Sequence, residues 1–114
     1  MAGQLRAGLT YPWRVSLSGG YPQLVVFPEA TNVGSIPTAW NSVAFMGKDT
    51  AGRVVACGQH RVYGSTNGEV PGYGFTNVLR PGETAYPLNG DAWVNSSYHA
   101  AALASLTTWP LWKE

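Results

Sequence analysis

Charge is scarce in this chain. Of its 114 residues only 11% are Asp, Glu, Lys or Arg, less than half the share usual in a soluble domain. The seven basic residues, Arg6, Arg14, Lys48, Arg53, Arg61, Arg80 and Lys113, are scattered singly. No basic stripe exists, so direct nucleic-acid binding is not expected. The formal net charge is +1, and copies of such a chain repel one another weakly. Cysteine occurs once, at Cys57, which excludes an intrachain disulfide and a cysteine zinc site. Because it ends an apolar run, this thiol is expected to be buried and inert. No apolar run approaches the about 18 residues that span a membrane. The first residues, MAGQLRAGLTYPW, show no signal-peptide pattern. The expectation is synthesis in a reducing cytoplasm and no membrane partner.

Reactive constellations are equally sparse. The two histidines, His60 and His99, form no HxH or HxxxH pair, the spacing that would suggest a metal site. No serine stands in a Gly-x-Ser-x-Gly elbow. Cys57 and His60 form a conceivable dyad, but they lie on either side of Gly58 in what read as packed strands. The carboxylates Glu29, Asp49, Glu69, Glu83, Asp91 and Glu114 all fall in turns, loops or chain ends, where solvated surface charge explains them. A glycosidase would need two of them facing each other across a cleft. Gly72-Tyr73-Gly74 lacks the third glycine of a nucleotide loop, because Asn77 stands there, and no helix follows to receive a phosphate. An enzyme is not expected, nor a metal or other cofactor.

What the chain has in quantity is apolar and aromatic surface. Hydrophobic residues make up 45% and aromatics 12%, with five Trp and six Tyr. A single domain of this length cannot hide them all, and buried aromatic anchors dominate contact energies at interfaces.

The apolar residues come in short runs punctuated by Gly, Pro and Asn, the pattern of consecutive β-strands. Met1 to Pro12 mixes small and single polar residues and reads as an arm. Trp13, Val15 and Leu17 alternate with Arg14, Ser16 and Ser18, a half-buried strand closed by Ser18-Gly19-Gly20. Gln23 to Phe27 is a second strand, stopped by Pro28. Glu29 to Trp40 has no period and reads as a long loop. Asn41 to Met46 and Arg53 to Cys57 flank the turn GKDTAG as a hairpin. Gln59 to Tyr63 follows as a separate strand beyond Gly58, then a glycine-rich loop over 64–74.

Phe75 to Leu79 and Glu83 to Leu88 flank Arg80-Pro81-Gly82. Pro at the first corner and Gly at the second predict a type II turn. Ala92 to Asn95 is a short strand. Ser97 to Trp109 fits either a capped helix or a strand, and the Thr107-Thr108-Trp109 end favours a strand over 101–109. Pro110 to Glu114 reads as a tail laid on a surface, because Pro110 cannot continue a central strand. The expected fold is all-β: a single β-sandwich or small barrel of about eight short antiparallel strands over 13–109, with an N-terminal arm (1–12) and a C-terminal tail (110–114).

From Val43 to Trp109 the order of these features resembles small β-sandwich domains of tailed-bacteriophage virion proteins. The residues that carry the resemblance are Val54 to Gly58, Pro81-Gly82-Glu83, Trp93-Val94 and Ala101 to Trp109. It implies a non-enzymatic structural role: a capsid decoration (cement) protein that binds the major capsid protein or another virion protein, self-associates, and resides in a virion assembled in the host cytoplasm. A tail or neck adaptor is the neighbouring alternative. Low charge, aromatic enrichment and the two terminal arms agree with this role. Trp13, Trp40, Trp109, Leu111 and Trp112 are the expected interface anchors, and removing 111–114 is expected to leave folding nearly intact. The competing expectation is a carbohydrate-binding module, with Tyr63, Tyr73, Phe75 and Trp93 as stacking residues.

Overall fold

The computed structural model describes residues 4–16, 22–70, 74–96 and 102–113. Among these residues there are nine strands and no α-helix: β1 (Leu5–Ser16), β2 (Gln23–Asn32), β3 (Thr38–Lys48), β4 (Val54–Arg61), β5 (Thr66–Val70), β6 (Gly74–Leu79), β7 (Thr84–Ala85), β8 (Trp93–Ser96) and β9 (Ser105–Lys113). All recorded strand pairings are antiparallel. In the first sheet β2 is central, flanked by β1 on one side and by β7 and β8 on the other. In the second sheet β3 is central, flanked by β9 and by β4, with β6 and then β5 extending from its start. The expected all-β sandwich is what the chain forms.

The core lies between the two sheets. Leu24, Val26 and Ala30 of β2 meet Val43 and Phe45 of β3, with Val62, Leu79, Ala85 and Leu103 closing the ends. One aromatic contact spans the layers. Trp93 of β8 packs edge-on against Phe45, with ring centroids 4.5 Å apart and planes at 68°. Burial of these apolar surfaces is the main stabilising term.

Asn32, one of the fully buried polar residues, has its side-chain hydrogen bonds made. The Asn32 amide donates to the carbonyl oxygens of Leu79 (2.9 Å) and Ile36 (2.8 Å), and its oxygen accepts from the Gly34 N–H at 2.9 Å. Its backbone bonds Glu83 and Gly82. Asn32 thus ties the end of β2 to β6 and to the turn after it, and a buried amide with every bond made carries no desolvation penalty.

Several expected boundaries move, each for a physical reason. The turn at Arg80 is as expected: Glu83 N–H donates to Arg80 C=O at 3.0 Å, and Gly82 takes φ 84°. Residues 5–12, expected as an arm, are strand, with Leu5 opposite Asn32 and Gly8 opposite Glu29. Their partner is distant in sequence and supplies the ladder that local composition does not announce.

Pro28 does not end β2. It falls where the ladders are interrupted: β8 stops pairing at Val26, β7 starts at Ala30, and the β1 register shifts between Leu9 and Tyr11. There a missing N–H leaves no ladder bond unmade. The long loop shrinks to 33–37, because β2 runs through Asn32 and β3 begins at Thr38. Gly58 likewise does not divide β4. The Trp93 and Phe45 rings occupy the space above it, so the position needs a residue without a Cβ.

The glycine-rich loop contributes β5, which pairs with β6 from Thr66↔Val78 to Val70↔Gly74. The expected strand over Glu83 to Leu88 is reduced to β7 and a bridge between Tyr86 and Tyr63, followed by one 3-10 turn at Leu88–Gly90. In the last segment the strand begins later than expected: residues 102–104 are not strand, and β9 runs from Ser105 to Lys113. The expected tail at 110–113 is therefore part of β9, with Leu111 opposite Ser42 and Lys113 opposite Ala39. Pro110 is tolerated because β9 pairs only with β3 among the described residues, as an edge strand does. The expected turn at Ser18-Gly19-Gly20, the 97–101 segment, His99, Tyr73 and Glu114 lie outside the described residues.

Candidate docking face

Strand alternation decides which aromatics reach solvent. On β3, Val43 and Phe45 point into the core, so Ser42, Ala44 and Met46 point out. Residues directly opposite in a ladder share a face. The outer face therefore runs in three rows: Arg61, Ser42 and Leu111; Gln59, Ala44 and Trp109; Cys57, Met46 and Thr107. Ser42 and Ala44 in the central column are small and buried between the larger Arg61, Leu111, Gln59 and Trp109. Trp109 and Leu111 are each 39% exposed although they lie in a sheet.

At one end of this face Trp40 is turned outward by an irregular backbone. It adopts φ 54°, a region that costs a bulky residue about 1–3 kcal/mol. The register shift between Ala39 and Ser42 places it in a bulge. Buried bonds hold the bulge: Thr38 Oγ1 donates to Asn41 Oδ1 at 2.7 Å, and Asn41 Nδ2 donates to the Thr38 carbonyl at 3.2 Å. The result is a Trp ring 42% exposed, with the Arg61 guanidinium 4.4 Å from its centroid. Tyr63 stands 5.3 Å from the same guanidinium. Aromatic faces attract a cation at these distances, so both rings favour the Arg61 guanidinium.

Of the five expected anchors, Trp40, Trp109 and Leu111 come together around this face. Trp13 and Trp112 do not. Both are half-buried and pack against the core cluster. On β9 the even positions Leu106, Thr108, Pro110 and Trp112 are the more covered ones, and the odd positions are exposed. Leu111 and Trp112, adjacent in the chain, are thereby separated onto opposite faces.

The face is also free of acid. Strands β3, β4 and β9 contain no Asp or Glu, and carry Lys48, Arg61 and Lys113. Asp49, which directly follows β3, is occupied in its own turn. It accepts from the Ala51 and Arg53 N–H groups at 2.9 Å each and pairs with Arg53 Nε at 2.9 Å. The Arg53 backbone bond, with the other donors, holds the Asp49 pKa below the usual carboxylate range against the opposing effect of burial. Glu83 is similarly engaged by Ser65 and by the Arg80 N–H. Burial raises its pKa, and these donors outweigh burial to leave it lowered.

The remaining candidate residues are dispersed. Cys57 is exposed on the outer face, opposite Met46, and is not the buried thiol expected. Because β4 continues through Gly58, Ala56 and Gly58 take the inner positions and Cys57 alternates outward. His60 lies on the inner side of β4 opposite Val43, and its Nδ1 is 2.9 Å from the Arg61 carbonyl oxygen. Cys57 and His60 are therefore on opposite faces. No cluster of three or more His, Cys, Asp or Glu suited to a metal is found among the described residues. Among those residues, no helix is long and apolar enough to cross a membrane.

Of the expected stacking residues, Trp93 packs on Phe45, Tyr63 flanks Arg61, and Phe75 is exposed at the distant β5–β6 hairpin. A separate shallow cleft of about 350 Å³, lined by Thr10, Tyr11, Phe27, Tyr86, Pro87 and Gly90, lies on the first sheet. Its Tyr11 and Phe27 rings are nearly perpendicular, at 87°, and form no coplanar platform. Against known proteins, the chain matches no family model, no curated protein and no solved structure.

Proposed function

We propose that the protein is a non-enzymatic virion component, a capsid decoration protein that docks on a shell of major capsid protein through the outer face of the β9-β3-β4 sheet. The observation that carries this reading is the gathering of the exposed Trp40, Trp109 and Leu111 on one face of a sheet whose strands β3, β4 and β9 carry no acid. Trp and Arg are among the residues enriched at binding hot spots, and Arg61 is already in contact with the Trp40 and Tyr63 rings before any partner arrives. A preformed aromatic anchor loses little side-chain entropy on binding. The nature of the partner comes from the resemblance to tailed-phage virion domains. What supports the reading in the structure is an antiparallel platform that presents these side chains.

A decoration protein stabilises a shell by burying apolar area across its seams, at about 25 cal/mol per Å² less the cost of association. Small contributions per copy add up over many copies. The test is co-sedimentation of the purified chain with expanded, undecorated phage shells, followed by survival of the shells on heating. Saturable binding with raised survival supports the reading. Binding to isolated tail or neck assemblies instead, or a reproducible ligand on a glycan array without shell binding, overturns it in favour of an adaptor or a sugar-binding module.

A further inference from the structure

Arg61 occupies an unusual position for a charged group on this face. Its guanidinium lies 4.4 Å from the Trp40 centroid and 5.3 Å from that of Tyr63. Among the described residues no carboxylate lies within salt-bridge distance of it; the ion pair that does form is Arg53 with Asp49. The strands around it bring no acid, only Lys48 and Lys113. A guanidinium in contact with an aromatic face keeps an edge of N–H donors in its own plane. That edge fits the two oxygens of a carboxylate. The backbone that presents Trp40 is held at φ 54° by the buried Thr38–Asn41 bonds, although ordinary extended backbone would cost less. Beside this charged edge, Leu111 and Trp109 offer apolar contact over the small residues Ser42 and Ala44.

We propose that Arg61 is the anchor for a carboxylate, and that the partner segment on this face is an acidic stretch of protein with apolar residues beside its Asp or Glu. The proposal rests on the reading that this face docks on a protein. It specifies the chemistry of the partner. Charge complementarity selects the carboxylate, the flat guanidinium sets its orientation, and the two Trp residues with Leu111 supply the apolar contact.

The test pans a random dodecamer peptide library against the intact immobilised chain. The recovered peptides are then titrated by calorimetry against the wild type, Arg61→Lys and Arg61→Gln. Peptides enriched in Asp or Glu next to apolar residues are expected. Arg61→Gln should weaken them about 30-fold, the effect of losing a hot-spot side chain. Arg61→Lys should also weaken them, because an ammonium cannot make the paired contact. The same peptides with Glu→Gln and Asp→Asn, tested on the wild-type protein, ask the question without altering the fold.

Recovered peptides without acidic enrichment overturn the proposal, as do peptides that bind Arg61→Gln equally well. Displacement of the peptides by a single-stranded oligonucleotide that binds more tightly through Arg61 also overturns it. Shell binding separates the two readings. Shells bound equally by the wild type and Arg61→Gln remove the carboxylate anchor and keep the capsid reading. Arg61-dependent peptide binding with no shell binding keeps the anchor and removes the capsid.

Discussion

Substituting Gly58 by alanine tests the account of how the two sheets fit together. Gly58 lies at the centre of β4 on its inner face, opposite Phe45. A Cβ built there would overlap the Trp93 ring and come within 2.9 Å of Phe45 Cε2. Trp93 belongs to the opposite sheet and is fixed by its pairing with Val26, so it cannot withdraw without disturbing β8. Overpacking of this kind costs about 1–3 kcal/mol. Displacing the Phe45–Trp93 edge contact costs about 0.5–1.5 kcal/mol more. Removing a glycine from a strand gives back about 0.5–1 kcal/mol. The net expectation is a loss of about 2 kcal/mol, or roughly 8 °C in Tm for a chain of this size.

Thermal unfolding followed by circular dichroism measures the shift, and urea titration measures the free energy. The decisive comparison is a double-mutant cycle with Trp93→Leu. Once the indole is gone, Gly58→Ala should cost almost nothing or stabilise slightly. An unchanged or raised Tm for Gly58→Ala alone would refute the packing argument. So would a penalty that persists in the Trp93→Leu background.

Asn32→Ala removes three side-chain bonds at a fully buried position and should cost about 3 kcal/mol by urea denaturation, because the Leu79 carbonyl is left unpaired away from water. Acid should weaken the fold through Asp49 and Glu83. Both have folded-state pKa values lowered from the ordinary range, so their contribution is complete above the unfolded carboxylate pKa of about 4 and is lost as pH falls through the lower folded values. An Asp49→Asn, Glu83→Gln variant should show a shallower loss of Tm between neutral pH and that acid limit. Trp109→Ser with Leu111→Ser should change stability by about 1 kcal/mol or less, since both side chains are partly solvated, yet abolish shell co-sedimentation. Deleting residues 111–114 should instead cost about 3 kcal/mol, because it removes two ladder pairs and the packing of Trp112.

The features legible from the sequence were those whose causes are local. Pro81-Gly82 dictates its own turn, and the GKDTAG segment joins two apolar runs into a hairpin whatever lies elsewhere. The β1–β2 and β3–β9 ladders are different. Leu5 finds Asn32, and Lys113 finds Ala39, across 27 and 74 residues of sequence, and nothing in the composition of either end announces the partner. Pro28, Gly58 and Pro110 look like stops because each lacks a group that a strand ordinarily uses. Each sits where that group has no role, at a gap in the ladders, under an aromatic ring, or on an edge strand. Among the anchors, aromatic content points to all four Trp residues alike, but facing depends on register, and register places Trp13 and Trp112 inward while Trp40 and Trp109 stay exposed. Arg61 is not legible as a site from sequence, because a basic residue standing singly has no pattern that distinguishes it. The hint available is its place two residues before Tyr63 in a strand without acid.

The alternation of β9 shows why the end of this chain serves two purposes that truncation cannot separate. Leu106, Thr108, Pro110 and Trp112 face inward, and Leu106 and Trp112 pack against the core. Trp109 and Leu111 face outward from the same ladder with β3. A mobile tail would need to lose conformational freedom on docking, at about 1–2 kcal/mol of backbone entropy per ordered residue. Here that ordering is already achieved by folding, through the inward residues. The outward pair is thus presented on a rigid strand, in line with Ser42 and Ala44 and beside the Arg61–Trp40 stack. The most hydrophobic contacts of the proposed interface and the edge of the core are two faces of one nine-residue strand. Substitutions at odd positions of β9 report on docking, and those at even positions report on folding.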